Sequence, residues 1–101
     1  MSALNPEKRF VRSFLDVTLL SMLLSESLWG YRMMILLRER YAVKVGPPVI
    51  YPLLNSMEKN SLITSWETKQ SNRVRKMYDI TDEGKEYLKK FGKFLAELVK
   101  Y

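Results

Sequence analysis

Two neighbouring segments in the second half of the chain have the composition of β-strands. They are "LITSWETK", residues 62–69, and "VRKMYDI", residues 74–80, both rich in β-branched and aromatic residues. Only four polar residues, 70–73, separate them, with "QSN" at the turn, so they predict a β-hairpin with a polar turn. Asn72 in this turn suits a positive φ. A fold for this chain must therefore combine one hairpin with the helical segments around it.

The apolar residues before the hairpin recur at helical spacing. Residues 8–25 predict a first helix that is apolar nearly all round. A second helix, beginning at Trp29 or Gly30 and ending at Tyr41, is also too apolar for one buried face. The breadth of both apolar surfaces suggests that a single chain does not cover them alone.

The third helical segment is crowded with prolines at its front. Pro47 and Pro48 follow Gly46 and suit the first turn of a helix, where a missing N–H has no partner. Pro52 falls about one turn inside and removes a hydrogen bond, so we expect this helix to start late or to bend at its front end. Asn60 can take the left-handed conformation that closes a helix.

A last helix follows the hairpin, and the order of the elements indicates the fold. Thr81 predicts its N-cap, and Asp82 and Glu83 lie in the first turn, where negative charge is favoured. The order of helix, helix, helix, hairpin and helix predicts a mainly α winged helix-turn-helix, in which the third helix enters the DNA major groove. We expect a DNA-binding domain over residues 1–80 and a dimerisation helix over residues 81–101.

Composition limits the chemistry of the chain. Its 101 residues suit one small domain, and it contains no cysteine and no histidine. Disulfides, thiolate zinc sites and the usual general bases are therefore excluded, and a cytoplasmic protein without metal or cofactor is expected. The net charge of +6 favours a polyanionic partner, nucleic acid first and an anionic membrane surface second.

Membrane and enzymatic functions have little support in the sequence. The apolar run from Leu15 to Leu24 follows basic residues, but Asp16 and Ser21 interrupt it and no cleavage pattern follows, so it is neither a secretion signal nor a membrane span. The carboxylates are scattered and there is no glycine-rich phosphate loop. No catalytic constellation can be assembled from these residues.

Four blocks of sequence resemble those of the PadR-type transcriptional regulators. These are "LLSMLLSESLWGY", "IYPLLNSMEKNSLIT", "NRVRKMYDIT" and "TDEGKEYL". They are similar to the family's L-x-x-G-Y opening of the second helix, its L-Y-P-x-L recognition helix, its G-R-x-R-K-x-Y-x-L-T wing and its T-x-x-G entry to the last helix. The resemblance covers residues 17–88 and makes Pro52 a feature of the recognition helix.

The resemblance has departures and functional implications. Trp29, Ser61 and Asn72 stand where the family often has histidine or glycine, and "GPPV" replaces a Ser-x-Gly-Thr-like stretch at the start of the recognition helix. The family implies a DNA-binding regulator. Its members are often repressors whose DNA binding is relieved by phenolic or other hydrophobic small molecules, and constitutive repression is the alternative.

Candidate DNA contacts lie on the third helix and on the wing. Tyr51 is either a partly covered rim aromatic or a phosphate donor, Asn55 can meet a base edge or only water, and Val49 can contact only a thymine methyl group. Arg73 is nearest the turn and is the best candidate for minor-groove insertion. The complete candidate set is Pro48, Val49, Tyr51, Asn55, Lys69, Asn72, Arg73, Arg75 and Lys76.

The last helix carries a candidate dimer interface. Leu88, Phe91, Leu95 and Leu98 repeat as the seam of a helix that packs lengthwise on another, and Tyr87, Phe94 and Tyr101 flank them. Packing onto the chain's own core is the alternative. Trp29, Tyr87 and Phe94 are candidates for lining a crevice that takes a hydrophobic or aromatic effector, and core or rim packing is the alternative for the tryptophan.

Two further functional classes stay open beside a sequence-specific regulator that binds an inverted-repeat operator as a homodimer. The fold could serve as a ligand-binding module, or as a winged helix used only for protein contacts, because fold does not dictate function.

Overall fold

The computed structural model describes residues 5–100 and contains five helices and three strands within them. The elements in chain order are α1 (Pro6–Ser13), α2 (Leu15–Leu23), β1 (Leu28–Trp29), α3 (Gly30–Tyr41), α4 (Pro47–Lys59), β2 (Ile63–Gln70), β3 (Arg73–Ile80) and α5 (Asp82–Leu98). The strands form one antiparallel sheet in the order β1-β3-β2. The predicted winged helix-turn-helix architecture is confirmed. Tyr101 lies outside the described residues.

The first predicted helix is divided at Phe14, so the expectation of one continuous helix over residues 8–25 is wrong. Phe14 has φ −128° and ψ 58°, which ends α1 and begins α2. Its ring packs 5.1 Å from the Phe10 ring and 5.2 Å from the Phe91 ring of α5, measured between centroids. The Thr18 hydroxyl donates to the Phe14 carbonyl, which satisfies the one polar group buried in α2. Aromatic packing against α5 thus accompanies the break.

The core is built from α2, α3, α4 and the inner face of the hairpin. Residues at helical spacing on α4 and alternate residues on β3 point into it, as their periodicities require. Its most deeply buried side chains include Leu19, Leu20, Leu23, Met33, Leu37, Ile50, Leu54, Ile63 and Tyr78. Because α2 is covered by α1, α5 and β3 of the same chain, its breadth of apolar surface does not require a second copy. The expectation that it did is wrong.

The α4 helix begins at Pro47 and continues through Pro52 to Lys59, so it does not start late. Pro52 is exposed. The end of α4 differs from the prediction at one residue, because Ser61, and not Asn60, takes the left-handed conformation with φ 63°. The N–H groups of Ser61 and Leu62 then donate to the carbonyls of Glu58 and Met57, the two hydrogen bonds of a Schellman motif.

The hairpin closes through the two-residue turn Ser71–Asn72. Both residues have positive φ, 48° and 64°, which a type I′ turn requires. The predicted positive φ of Asn72 is confirmed. Gln70 pairs with Arg73 at the end of the ladder. This turn, the tip of the wing, is the part of the hairpin farthest from the core strand residues Ile63 and Ile80.

The start of α5 is joined to the end of α4 by hydrogen bonds. Thr81 accepts from the Gly84 N–H at 2.9 Å, so the predicted N-cap is confirmed. Its hydroxyl donates to the Ser61 carbonyl, and its backbone N–H donates to the Leu62 carbonyl at 3.1 Å. The two helices are therefore connected at this point by backbone and by side-chain contacts.

Because of Tyr78, the free energy of unfolding is expected to decrease at alkaline pH. Burial raises the pKa of Tyr78 above its ordinary value of 10.0, with further contributions from Glu58 and Tyr51. The folded state holds the phenol proton more tightly than the unfolded chain, so this stability is complete below the ordinary pKa and is lost as the pH rises through the folded pKa. We expect Tyr78→Phe to lose less stability than wild type as the pH rises from about 10 to about 11. Urea unfolding measures this, and Tyr31→Phe, at an exposed tyrosine, should behave as wild type.

Candidate nucleic-acid interface

The outer side of α4 presents the residues expected to meet DNA. Ile50, Leu54 and Met57 are buried and attach the helix to the core. The opposite side leaves exposed Pro48, Val49, Tyr51, Pro52 and Asn55. Val49 is 47% exposed, although its side chain is apolar and gains nothing from contact with water. The helix therefore has one side fixed in the protein and one side free to contact a partner.

Tyr51 lies over the backbone of Gly30 at the start of α3. A Cβ atom at residue 30 would be 2.7 Å from Cε1 of Tyr51, so only glycine leaves room for the ring in this position. Tyr51 stays 40% exposed. Its ring is thus partly covered and partly open to a partner, and its position depends on the glycine of the "WGY" sequence.

The wing tip carries exposed polar and basic side chains. Lys69, Asn72 and Arg73 are all exposed, and Lys69 stands opposite Val74 in the ladder. The tip lies at the end of a two-stranded projection, so its side chains are open to a partner. Arg73 lies directly beside the turn, as predicted.

Arg75 and Lys76 have intramolecular partners on opposite sides of the wing. The Arg75 guanidinium carbon lies 4.4 Å from the ring centroid of Trp29, which is a cation–π contact. Lys76 Nζ lies 3.7 Å from Oε1 of Glu58 on α4. These contacts distinguish the two residues from Arg73, and they were not visible in the sequence because each partner comes from a distant segment.

A basic groove runs from the wing tip along α3 to the start of α4. Its first part is a cavity of about 580 Å³ between α3 and β3, and its second is a cavity of about 260 Å³ between α3 and the entrance of α4. Both are lined by Tyr31 and Ile35, so they adjoin. The charged residues that line them are all cationic: Arg32, Arg38, Lys44, Arg73 and Arg75. Such a groove attracts a polyanion.

Groove residues that the sequence analysis did not identify include Tyr31, Ile35 and the basic residues Arg32, Arg38 and Lys44. Tyr31, Ile35 and Arg38 follow one another at steps of four and three, which places them on one side of a helix. That periodicity was a usable signal. This side of α3 forms a groove only because the wing packs beside it, and the sequence did not indicate that packing.

The predicted dimer residues on α5 fall into two groups. Leu88, Phe91 and Leu95 are partly buried, and Phe91 packs on Phe10 and Phe14 of the same chain. The residues left more exposed are Tyr87 at 40%, Phe94 at 60% and Leu98 at 66%. Three of the four seam residues therefore pack in part on the chain's own core, whereas the seam residue Leu98 and the flanking Tyr87 and Phe94 remain more exposed.

The candidate effector residues lie apart within one chain. Trp29 lines a cavity of about 400 Å³ together with Trp66 and Arg75 on the outer face of the wing. Tyr87 lines a different cavity, of about 420 Å³, beside the start of α5. Trp29 and Tyr87 therefore line different cavities in the single chain.

Within residues 5–100, no group of acidic side chains is arranged to hold a metal ion. In the same part of the chain, none of the helices has the length and apolar character needed to cross a membrane.

The helix pair α3 and α4 with the wing β2–β3 defines a winged helix-turn-helix protein. The chain belongs to the PadR-like family of transcriptional regulators, whose sequence profile matches residues 19–90. The resemblance found in the four sequence blocks is thereby confirmed. As a member of this family the protein is a transcription regulator and not an enzyme.

Solved structures support the family assignment. A transcriptional regulator from Clostridium thermocellum matches with a TM-score of 0.78 and 26% identity over 91% of each chain. A PadR-like transcriptional regulator from Bacillus cereus matches with a TM-score of 0.77 and 30% identity, over 89% of this chain and 88% of that one. Bacillus subtilis PadR in complex with operator DNA matches with a TM-score of 0.72 and 27% identity, over 86% of this chain and 46% of that one. Among curated proteins, none matches the chain significantly in sequence.

Proposed function

We propose that the protein is a repressor that binds an inverted-repeat operator as a homodimer. The observation that carries the proposal is the basic groove, whose two adjoining cavities share Tyr31 and Ile35 and end at Pro47, where α4 begins. Similarity to a PadR structure determined with operator DNA supports the same assignment. In this proposal, repression results from occupying the operator and excluding other proteins from it.

Two kinds of DNA contact follow from the positions of the side chains. The exposed side of α4, with Val49 and Asn55, enters the major groove, where each base pair presents a distinct pattern of donors and acceptors. The basic groove and Arg73 contact phosphates and the minor groove beside it. Tyr51, at the rim of α4, donates its hydroxyl to a phosphate. Contacts of the first kind specify the sequence, and contacts of the second kind supply most of the affinity.

The homodimer is proposed from the uncovered residues of α5. Phe94 and Leu98 are more than half exposed on a helix that already packs one side on its own core. Pairing of this helix with its copy covers them and relates two α4 helices by a two-fold axis. A two-fold protein matches a two-fold operator, so the half-sites lie about one helical turn apart.

Selection of bound sequences from random duplex DNA tests the class of function and finds the operator together. Titration of the selected operator should then give affinities that fall steeply from about 50 to about 200 mM salt, because each neutralised phosphate releases counterions. Equal affinities at both salt concentrations would contradict the electrostatic part of the proposal. Failure to enrich any sequence with a folded protein would favour a winged helix used for protein contacts.

Arg73→Ala and Asn55→Ala should affect DNA affinity in different ways. Arg73→Ala should weaken binding to operator and to random DNA by similar factors. It should also reduce the slope of log affinity against log salt concentration by about one unit. Asn55→Ala should leave random DNA unaffected and cost about 1 to 3 kcal/mol at the operator if the amide meets a base edge. If Asn55 faces only water, its replacement should change neither affinity. Specific and non-specific titrations at one salt concentration measure both.

Lys89→Ala is a matched control for Arg73→Ala, since it removes one positive charge from an exposed position on α5. It should change DNA affinity much less than Arg73→Ala. If Arg73→Ala leaves both affinities unchanged in a folded protein, the wing tip is not a DNA contact.

A further inference from the structure

We propose that Glu58 is a positioning residue that fixes the wing relative to α4 and thereby sets how both meet DNA at once. The inference rests on the proposed DNA-binding function. Glu58 is acidic and lies at the edge of a surface proposed to bind a polyanion. Its charge alone would therefore not suggest that it supports DNA binding.

One carboxylate connects α4 to both strands of the wing. Oε2 of Glu58 accepts a hydrogen bond from the Ser65 hydroxyl on β2 at 2.5 Å. Oε1 of the same side chain lies 3.7 Å from Nζ of Lys76 on β3. Ser65 and Lys76 belong to different strands, so this single side chain restrains the hairpin as a unit.

The contact lies where the wing leaves the core. Tyr78, two residues from Lys76 along β3, is 2% exposed, whereas Val74, two residues in the other direction, is 62% exposed. Glu58–Lys76 is also the only ion pair formed between side chains of residues 5–100. Beyond this position, toward Arg73, the hairpin projects from the protein. A restraint at the base of a projection limits the directions in which its tip can point.

Electrostatics and positioning predict opposite effects when Glu58 is neutralised. Removing a negative charge near DNA lowers repulsion and frees Lys76 for a phosphate, so charge alone predicts tighter binding. If Glu58 instead orients the wing, its loss lets the tip move and weakens the simultaneous contacts of α4 and Arg73. The sign of the change in operator affinity therefore separates the two accounts.

Glu58→Gln tests the proposal with Glu67→Gln as the control. Glu67 is exposed on β2 and stands opposite Lys76 in the ladder, so its replacement removes the same charge from another residue next to Lys76. We expect Glu58→Gln to weaken operator binding by roughly tenfold, as for the loss of one charge-assisted contact, with little change on random DNA. Glu67→Gln should bind both DNAs as tightly as wild type or more tightly. Thermal unfolding of each variant monitors the stability of the fold.

The exchanged pair Glu58→Lys with Lys76→Glu leaves the net charge unchanged and provides a second readout. The double variant should regain operator affinity relative to Glu58→Lys and Lys76→Glu alone, because opposite charges again face each other. If Lys76 acted as a phosphate contact, the exchange would not restore binding. Operator affinity of Glu58→Gln equal to or above that of wild type would overturn the proposal.

Amide hydrogen exchange of the free protein separates failure of this inference from failure of the proposed function. Glu58→Gln should accelerate exchange in β2 and β3 relative to Glu67→Gln, whether or not DNA binds. If wild type binds no DNA but this acceleration occurs, the restraint is real and the DNA-binding proposal is wrong. If wild type binds DNA and exchange is the same in both variants, Glu58 does not hold the wing.

Discussion

Gly84→Ala is expected to destabilise the protein by about 3 kcal/mol, near the upper end of the usual cost of overpacking. A Cβ atom at residue 84 would overlap the Leu62 carbonyl oxygen and lie 2.7 Å from Cγ1 of Ile80. The carbonyl is backbone and already accepts from the Thr81 N–H, so it cannot turn aside without losing that bond. The first turn of α5 would have to move away from the end of α4.

Gly92→Ala is the matched control, because it makes the same change in the same helix. Nothing lies within 4 Å of a Cβ atom at residue 92, which is exposed. Alanine at this helix interior should stabilise the protein by about 0.5 to 1 kcal/mol. Denaturant unfolding at one protein concentration measures both variants, since association changes apparent stability. Equal stability of Gly84→Ala and wild type would mean that α5 does not pack on the Leu62 backbone as described.

Phe94→Glu and Leu98→Glu should convert the proposed dimer to a folded monomer. Each side chain is more than half exposed in the single chain, so a charge there does not disturb the core. In a symmetric dimer each substitution occurs twice, and burial of such side chains is worth roughly 1.5 to 3 kcal/mol each. The double variant should therefore weaken association by several orders of magnitude. Leu95→Glu is a less clear test because Leu95 is partly buried, so the variant could release monomers or prevent folding.

Sedimentation over a range of protein concentrations measures the association. Lys93→Gln changes the charge of α5 by the same amount as Leu98→Glu and should leave the dimer intact. A wild-type mass equal to that of the monomer at every concentration would contradict the dimer and, with it, the inverted-repeat operator. A monomeric Phe94→Glu, Leu98→Glu variant should also lose most of its operator affinity, because one half-site supplies only half of the contacts.

Much of the fold was predictable because its signals are local. The hairpin turn depends on two residues that tolerate positive φ, and the N-cap at Thr81 depends on one hydroxyl and the residues next to it. The order of these elements predicted the winged helix. The two residues of β1 were missed because a strand so short has no periodicity, and it exists only by pairing with Met77 and Tyr78.

The errors share a physical cause, which is contact between distant segments. Helical periodicity continues through Phe14, yet that residue leaves the helix and packs on Phe91 of α5. For the candidate site, the basic character of Arg75 and Lys76 was visible in the sequence. Their partners Trp29 and Glu58 were not, because an ion pair or a cation–π contact is decided by which elements pack together.

The joint between α4 and α5 has a consequence for the length of DNA that a dimer can span. Thr81 bonds to the carbonyls of Ser61 and Leu62, and Gly84 lies against the same backbone, so the two helices meet at a fixed angle. If α5 pairs with its copy, the α4–α5 connection fixes the position of each α4 relative to the two-fold axis. The distance between the two α4 helices of the dimer is then set by this connection, and not by the side chains on the exposed side of α4.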